Sequence, residues 1–548
     1  MLIFWMLFQQ RFRNFRPQLS PQQPSQVAMR YITSLLMLML FALGSAQVDV
    51  SQSQVNPDDA TLANTLVVAI PQDIQTFDPF AVNEVAGESL VRALFDNLLE
   101  RDLEGNLVPG LATSYEIIDP TTIEFVLRQG VTFHNGEVFD ARSVVFSVEQ
   151  LLNPDANYAN AGQFSAIDRV EVIDDYTMRL HLNRTDASIF DKLTAQLVMV
   201  PADYYAEVGT QGFAARPIGT GPFQFVQHTR DVDALLAANP NYWQGSYKRT
   251  PLVPFVRFRV IPEAATALAE FQAGNVDIVS NLPADFTPLV SRSGGQIISR
   301  DVPTLNMIWF NAFGGEVEVL QDSRIRQALN YAVDVETILT TLQGGYGVRL
   351  ASTLTPLSLG FEDDLEPYPY DPEQARALLE EANFPFDTEL SLSVPPNVNR
   401  TIAEAVISYL EDVGLNVRLQ FLDLAAFNDA WVRDSEPAMG ALFIASWGGL
   451  FDPGSQSFFL ASDARASYYS NAQVDELLTA AEAELDPDVR TAYYQQIAQL
   501  THEDPVGIYL WAPASLYGVS SRVAGWQAHP RDFVLVSGSQ LITANSQR

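Results

Sequence analysis

The sequence predicts an α/β protein of two or three lobes, and three observations carry that prediction. Leu66-Val67-Val68-Ala69-Ile70 is a continuous apolar run closed by Pro71, the pattern of a strand buried on both faces. Leu390, Leu392 and Val394 alternate, a helical stripe follows at Ile402, Ala405, Val406, Tyr409, Leu410 and Val413, Gly414 stops it, and alternation resumes at Leu415, Val417, Leu419 and Phe421. Strand, helix, strand in that order suits a parallel pair. Between these regions the period is two, so an antiparallel lobe is expected there. At 548 residues the chain also exceeds what one hydrophobic core ordinarily organises.

The remaining elements follow from local chemistry. Leu90, Val91, Leu94, Phe95, Leu98 and Leu99 recur at three and four residues, predicting a helix with one buried stripe before a turn at Leu103-Glu104-Gly105-Asn106. In the antiparallel lobe, Ile123, Phe125 and Leu127 share a face, Val131 and Phe133 precede the turn pair Asn135-Gly136, and Val170 and Val172 face Met178, Leu180 and Leu182 across Asp174-Asp175. Dense turn chemistry at Pro217-Ile218-Gly219-Thr220-Gly221-Pro222 marks the exit from that lobe. Asp371 caps a helix with Pro372 in its first turn, Asp322 caps one that buries Ile325, Leu329 and Val333, and another starts near Asn471 and buries Val474, Leu477, Leu478 and Ala481.

Charge excludes several functions. The chain has 32 Lys and Arg against 66 Asp and Glu, and four of the basic residues (Arg11, Arg13, Arg16, Arg30) fall in residues 1–46, which contain no acid. So acidic a remainder repels phosphate backbones and anionic membranes; no nucleic-acid partner is expected, and the field favours a soluble monomer. Lys192 and Lys248 are the only lysines. There is no cysteine, hence no disulfide, thiolate metal site, cysteine nucleophile or lipid-anchor cysteine. After Met29-Arg30-Tyr31, the apolar stretch Ile32 to Leu43 leads into Gly44-Ser45-Ala46, an export signal with cleavage expected after Ala46. A twelve-residue helix rises only about 18 Å, short of a hydrocarbon core of roughly 30 Å. A periplasmic or secreted protein is expected, beginning with a polar leader over residues 47–63.

Catalytic motifs are missing. There is no Gly-x-Ser-x-Gly elbow, no phosphate-binding loop and no dinucleotide fingerprint. His502-Glu503 begins a zinc-protease pattern, but position 506 is valine. His134 is read as a turn residue and His181 as solvent-facing on a strand, and the acidic run Glu362 to Glu366 lacks the spaced ligands of a calcium loop. No catalytic residue, metal ligand or cofactor is assigned. A carboxylate pair drawn from distant segments, as in a secreted hydrolase, leaves no local signature and stands as the alternative from another class.

Several short stretches, in order, carry a resemblance. They are Thr76-Phe77-Asp78-Pro79, Gly130-Val131-Thr132-Phe133-His134-Asn135-Gly136, Gly219-Thr220-Gly221-Pro222-Phe223, Asn239-Pro240-Asn241-Tyr242-Trp243, Arg324-Ile325-Arg326-Gln327-Ala328-Leu329 with Asp334, Tyr370-Asp371-Pro372, and Val474-Asp475 with Arg490. Over almost the whole mature length the chain resembles the family 5 extracellular solute-binding proteins, the dipeptide, oligopeptide and nickel receptors of ABC importers. The resemblance implies a periplasmic-binding-protein-like fold, two α/β lobes joined by a two-strand hinge plus an extra mixed β-rich domain. Domain I would take residues 64–107, 218–303 and 515–548, domain II 108–217 and domain III 304–514, with crossovers near Thr304-Leu305 and Tyr509-Leu510. It also implies a small solute, a short peptide first and an oligosaccharide or nickel chelate otherwise, captured between domains I and III and delivered to a membrane permease.

The resemblance places solute contacts after the Asp-Pro pair, at Asn83, Glu84 and Val85, and on a second wall from Ser446 to Pro453 that includes Trp447, Gly448 and Asp452. Asn306 and Trp309 follow the first crossover. Peptide-binding relatives carry an Asp three residues after the tryptophan, where this chain has Leu450, and the oligopeptide receptor carries an Arg three residues before it, where this chain has Ile444. The charge clamp for a zwitterion is therefore incomplete. Asp452 either substitutes for the missing acid or caps the turn before Pro453; Trp309 and Trp447 either stack on solute or pack in the core.

Overall fold

The computed structural model describes residues 56–542, apart from 83–84, 157, 196, 313–317, 397, 432–438, 449–450 and 465–466 and the side chains of 85 and 86. The expected export signal, most of the polar leader, Asn83, Glu84 and Leu450 lie outside the described residues. In chain order the strands are β1 (Thr65–Ile70), β2 (Leu99–Arg101), β3 (Leu107–Pro109), β4 (Ala112–Asp119), β5 (Thr122–Leu127), β6 (Ile167–Asp174), β7 (Thr177–Leu182), β8 (Phe223–Thr229), β9 (Asp233–Ala238) and β10 (Phe255–Val260). They continue with β11 (Ile278–Val279), β12 (Gln296–Asp301), β13 (Thr304–Phe310), β14 (Gly347–Arg349), β15 (Glu389–Val394), β16 (Asn416–Phe421), β17 (Leu442–Gly448) and β18 (Gly507–Val519).

One mixed sheet runs β16-β15-β17-β13-β18-β11-β1-β10-β9-β8, with β12 and β14 also paired to β18. The apolar run forms β1, buried at every position and parallel to both β10 and β11. The predicted strand–helix–strand unit is present: β15, the helix Arg400–Asp412, a turn at Gly414 with φ of +93°, and β16 parallel to β15. Asp371, Asp322 and Asn471 cap their helices as expected.

The long strand β18 spans both halves of this sheet. Its first residues pair with β13 as far as Trp511, and from Ala514 onward it pairs with β12 and finally β11. Its alternating side chains reach four separate cores: Ile508 and Leu510 enter one beneath β15–β16, Tyr509 a second, Leu516 a third, and Tyr517 and Val519 the largest. The switch falls at Pro513, and β12 gives way to β13 at Val302-Pro303, a few residues from the expected crossovers. Proline has no N–H to give to a ladder, so pairing changes where the prolines stand.

A separate four-stranded antiparallel sheet, β4-β5-β7-β6, forms the predicted antiparallel region. Its inner residues Ile123, Phe125, Met178 and Leu180 join the same core as β1, so this region has no core of its own. Val172 pairs with Met178 in the expected hairpin and is 46% exposed on the edge strand β6. The helical stripe from Leu90 also stops early: the helix is Val85–Leu94, and Leu99 already belongs to β2. Gly221 N–H donates to the Leu94 carbonyl at 2.9 Å, and a Cβ at Gly219 would sit 2.0 Å from that oxygen. The turn at 217–222 thus fits against the helix end through glycines, and the chain leaves the helix there.

Candidate functional site

A cleft of about 1060 Å³ opens between two walls. One wall is the end of β17, with Trp447 and Gly448, and the short helix Ser457–Leu460, which contributes Phe458. The other is drawn from residues 159–163 and 184–192 and includes Gln163, Arg184 and Lys192. The expected cleft lay between domains I and III; the second wall here comes from the region assigned to domain II.

The aromatic wall is built by alternation. Along β17, Phe443 points into one core and Ile444 into another, while Ser446 and Gly448 are exposed and Trp447 is half-buried. Trp447 stacks on Phe458 with ring centroids 5.2 Å apart and planes at 23°, and meets Phe459 edge-on at 5.2 Å. Phe458 is 48% exposed, so this stacked pair offers an apolar surface to the cleft. The Trp447 Nε1 atom is buried and has no hydrogen-bond partner among the described residues. Opposite, Lys192 Nζ donates to Asp186 Oδ2 at 2.7 Å, and Asp186 Oδ1 accepts from the Ser188 hydroxyl at 2.6 Å.

The residues singled out in the sequence fare differently. Val85 opens the helix Val85–Leu94, and its side chain is not described. Asn306, on β13, accepts from the Ser446 hydroxyl at 2.5 Å, which fixes it beside the exposed end of β17. Trp309 is 4% exposed, donates its indole N–H to the Ala445 carbonyl at 3.3 Å and is surrounded by Trp431, Phe443 and Phe459; it presents no face to a solute. Asp452 is not free either. Its two oxygens accept from Arg490 at 2.6 and 2.7 Å, and it caps the turn before Pro453 by accepting from Gly454 N–H at 2.9 Å. Burial disfavours the Arg490 charge, but the bonds to Asp452 outweigh that and raise its pKa. Ile444 is buried, so the position that carries an arginine in the oligopeptide receptor faces a core here.

Lys192 and Phe458 were not anticipated. The first had a signal, being one of only two lysines in the chain. The second had none, since Phe458 and Phe459 are adjacent and only the fold shows which one is exposed.

Several resemblance motifs turn out to be scaffolding. Asp78 accepts from the Tyr158 hydroxyl at 2.7 Å and Phe80 N–H at 3.3 Å, pinning the segment that leads to residues 83–85; burial raises its pKa against those bonds. Asp96 is fully buried and accepts from Lys248 Nζ at 2.8 Å, Thr220 Oγ1 at 2.9 Å and Trp243 Nε1 at 2.9 Å. Burial alone would raise this carboxyl, but the Lys248 charge and these donors overcome it and hold the pKa below the usual range. His134 sits in a turn, as expected, closed by the Gly136 N–H donating to the Phe133 carbonyl at 2.8 Å, and it is also a fastener. Its Nε2 lies 3.0 Å from the Gly221 carbonyl and Nδ1 accepts from Gly219 N–H at 3.3 Å, and burial lowers its pKa to about 4, so it stays neutral while fastening the 217–222 turn.

Among the described residues no group of three or more His, Asp or Glu is placed to hold a metal ion, and no helix is long and apolar enough to cross a membrane. The cleft offers stacking, hydroxyls and paired charges.

The protein is similar to known chains over most of its length. Heme-binding protein A of Haemophilus influenzae is 29% identical over 464 residues, covering 78% of this chain and 82% of that protein. The glutathione-binding protein GsiB of Salmonella paratyphi A is 23% identical over 504 residues, covering 90% and 96%. The solved structure of HbpA2 from Haemophilus parasuis superposes with a TM-score of 0.77 at 25% identity, covering 88% of this chain and 100% of that one. Residues 106–468, more than half the chain, match the family described as bacterial extracellular solute-binding proteins, family 5 Middle. With a strand-linked pair of half-sheets, an aromatic-walled cleft and this match, the chain belongs to the family 5 bacterial extracellular solute-binding proteins.

Proposed function

We propose that this chain is an extracytoplasmic, non-enzymatic receptor of an ABC importer that captures a small solute beside Trp447 and hands it to the permease. Export through the 1–46 signal would leave a chain starting at Gln47, which amino-terminal sequencing of the exported protein should find. The observation that carries the reading is β18: one strand is shared by both half-sheets, flanked by β13 and β14 in one and by β12 and β11 in the other, and it changes pairing at Pro513, so rotation about 301–304 and 511–514 opens and closes the cleft without unmaking either sheet. Solute that bridges the walls shifts that equilibrium toward the closed form.

A short peptide is the leading solute class, held by shape and by stacking on the Trp447–Phe458 pair rather than by a charge clamp. Asp452 is committed to Arg490 and Ile444 is buried, so neither end of a zwitterion finds its usual partner at those positions. A second reading, a flat conjugated solute such as heme, is favoured by the exposed stacked pair Trp447–Phe458. Thermal unfolding of residues 47–548 against tripeptides, hemin, oligosaccharides and nickel–histidine separates these. One class should stabilise by about 2.7 kcal/mol at 100 times its Kd, and Trp447→Ala should abolish most of the shift while leaving the unliganded midpoint within about 1 kcal/mol of stability. No shift with any class would count against a receptor, and a shift indifferent to Trp447→Ala would move the site elsewhere.

A further inference from the structure

We propose that Phe451 is a latch that holds the cleft closed, setting solute affinity from outside the solute contacts; the proposal rests on the two-walled receptor reading above. Phe451 lies between the aromatic wall and the Asp452–Arg490 pair, yet its ring joins none of the apolar cores and is only 6% exposed. It is buried against the opposite side of the molecule, in the β2–β3 hairpin. The Arg101 guanidinium sits 4.8 Å from the centre of the ring, and a Cβ at Gly105, in the hairpin turn with φ of +87°, would come within 2.9 Å of it. The glycine therefore makes the socket: any side chain there would displace the ring.

The socket is rigid. Arg101 Nε donates to Asp191 Oδ1 at 2.9 Å, its NH1 donates to the Gly105 carbonyl at 2.8 Å, and its own carbonyl accepts from His529 Nε2 at 3.1 Å. Asp191 stands on the same 186–192 segment that forms the far wall of the cleft, and this segment meets the other side directly. Ala187 N–H donates to the Glu482 carbonyl at 3.1 Å, and a Cβ at Gly454 would come within 3.0 Å of Ser188 Cβ. Phe451, Gly454 and Glu482 thus close on Arg101, Ser188 and Ala187 along one seam.

The plug is presented as firmly as the socket. The Phe451 carbonyl accepts from Leu359 N–H at 2.9 Å, and the next residue is Asp452, gripped by Arg490. This gives Asp452 a use: it holds the ring in position. A guanidinium over an aromatic face, desolvated on closure, favours the closed form with no solute present. Because apparent affinity scales with the fraction of competent receptor, such a bias tightens binding without touching the ligand.

The test needs no solute. Phe451→Ala should raise the small-angle scattering radius of the unliganded protein by on the order of 1 Å above the roughly 23 Å of a compact chain this long. It should also speed hydrogen exchange of the Ala187 amide about tenfold while amides of β1 and β15 keep their protection. Phe451→Leu, which fills the socket without an aromatic face, should give an intermediate acceleration. An unchanged radius and unchanged Ala187 exchange would overturn the latch, as would an equal loss of protection in β1 and β15, which marks a folding defect. Neither result depends on whether any solute in the panel binds, so failure of the latch is distinct from failure of the receptor reading.

Discussion

Lys248→Met should destabilise the protein by about 3–5 kcal/mol, the cost of leaving a buried carboxylate without its counter-charge. Lys248 is wholly buried, and its ammonium meets three acceptors: the Phe95 carbonyl at 2.7 Å, Asp96 at 2.8 Å and Glu100 at 3.1 Å. Methionine preserves the volume and removes the charge. Asp96 would keep its bonds from Thr220 and Trp243 but lose the charge that holds its pKa down. The midpoint of urea unfolding measures the effect, and adding Asp96→Asn should recover part of it. A single variant within about 1 kcal/mol of the parent would show that the pair is not the keystone of this junction.

Arg490→Met should be comparably costly, again about 3–5 kcal/mol, and its effect should reach the cleft. Arg490 gives both terminal nitrogens to Asp452 and its Nε to the Ala481 carbonyl at 3.0 Å. Without it, a carboxylate only 7% exposed keeps, among the described residues, the Gly454 N–H as its hydrogen-bond donor. The turn at Asp452-Pro453 should then loosen, so hydrogen exchange at Gly454 should rise together with the loss of stability. Asp452→Asn in the same chain removes the stranded charge and should restore about half of the loss. Full stability in Arg490→Met would mean that Asp452 is held some other way.

Both pairs show where sequence reading stops. The elements were legible because their causes are local: alternation gave β5, β15 and β16, and Asp371, Asp322 and Asn471 announced their helices through capping chemistry. Where the cause was distant, the reading slipped. The helix ending at Leu94 looked longer because the glycines that meet its end are more than a hundred residues away. The exposure of Val172 was not legible either, because alternation cannot tell an edge strand from a central one. His134 was read as a turn residue and sits in a turn, but its partners, Gly219 and Gly221, are too remote to be read from the sequence.

The site was legible in outline and not in detail. The stretch after the tryptophan motif was singled out, and Trp447 and Gly448 do line a cleft. Trp309 and Asp452 carried the right chemistry for a ligand, but one is enclosed by aromatic neighbours and the other is paired with Arg490. Ion pairing across 38 residues cannot be read from spacing. The far wall, with Lys192, emerged only when the fold brought 184–192 up to 447–458.

The central claim, that this protein captures a solute by closing on it, is most directly tested by calorimetric titration of the solute class that raises the unfolding midpoint. The account predicts saturation at one site per chain with a negative heat-capacity change, because closure over Trp447 and Phe458 removes apolar surface from water. Absence of saturable binding, or chemical turnover of the added solute, would contradict it.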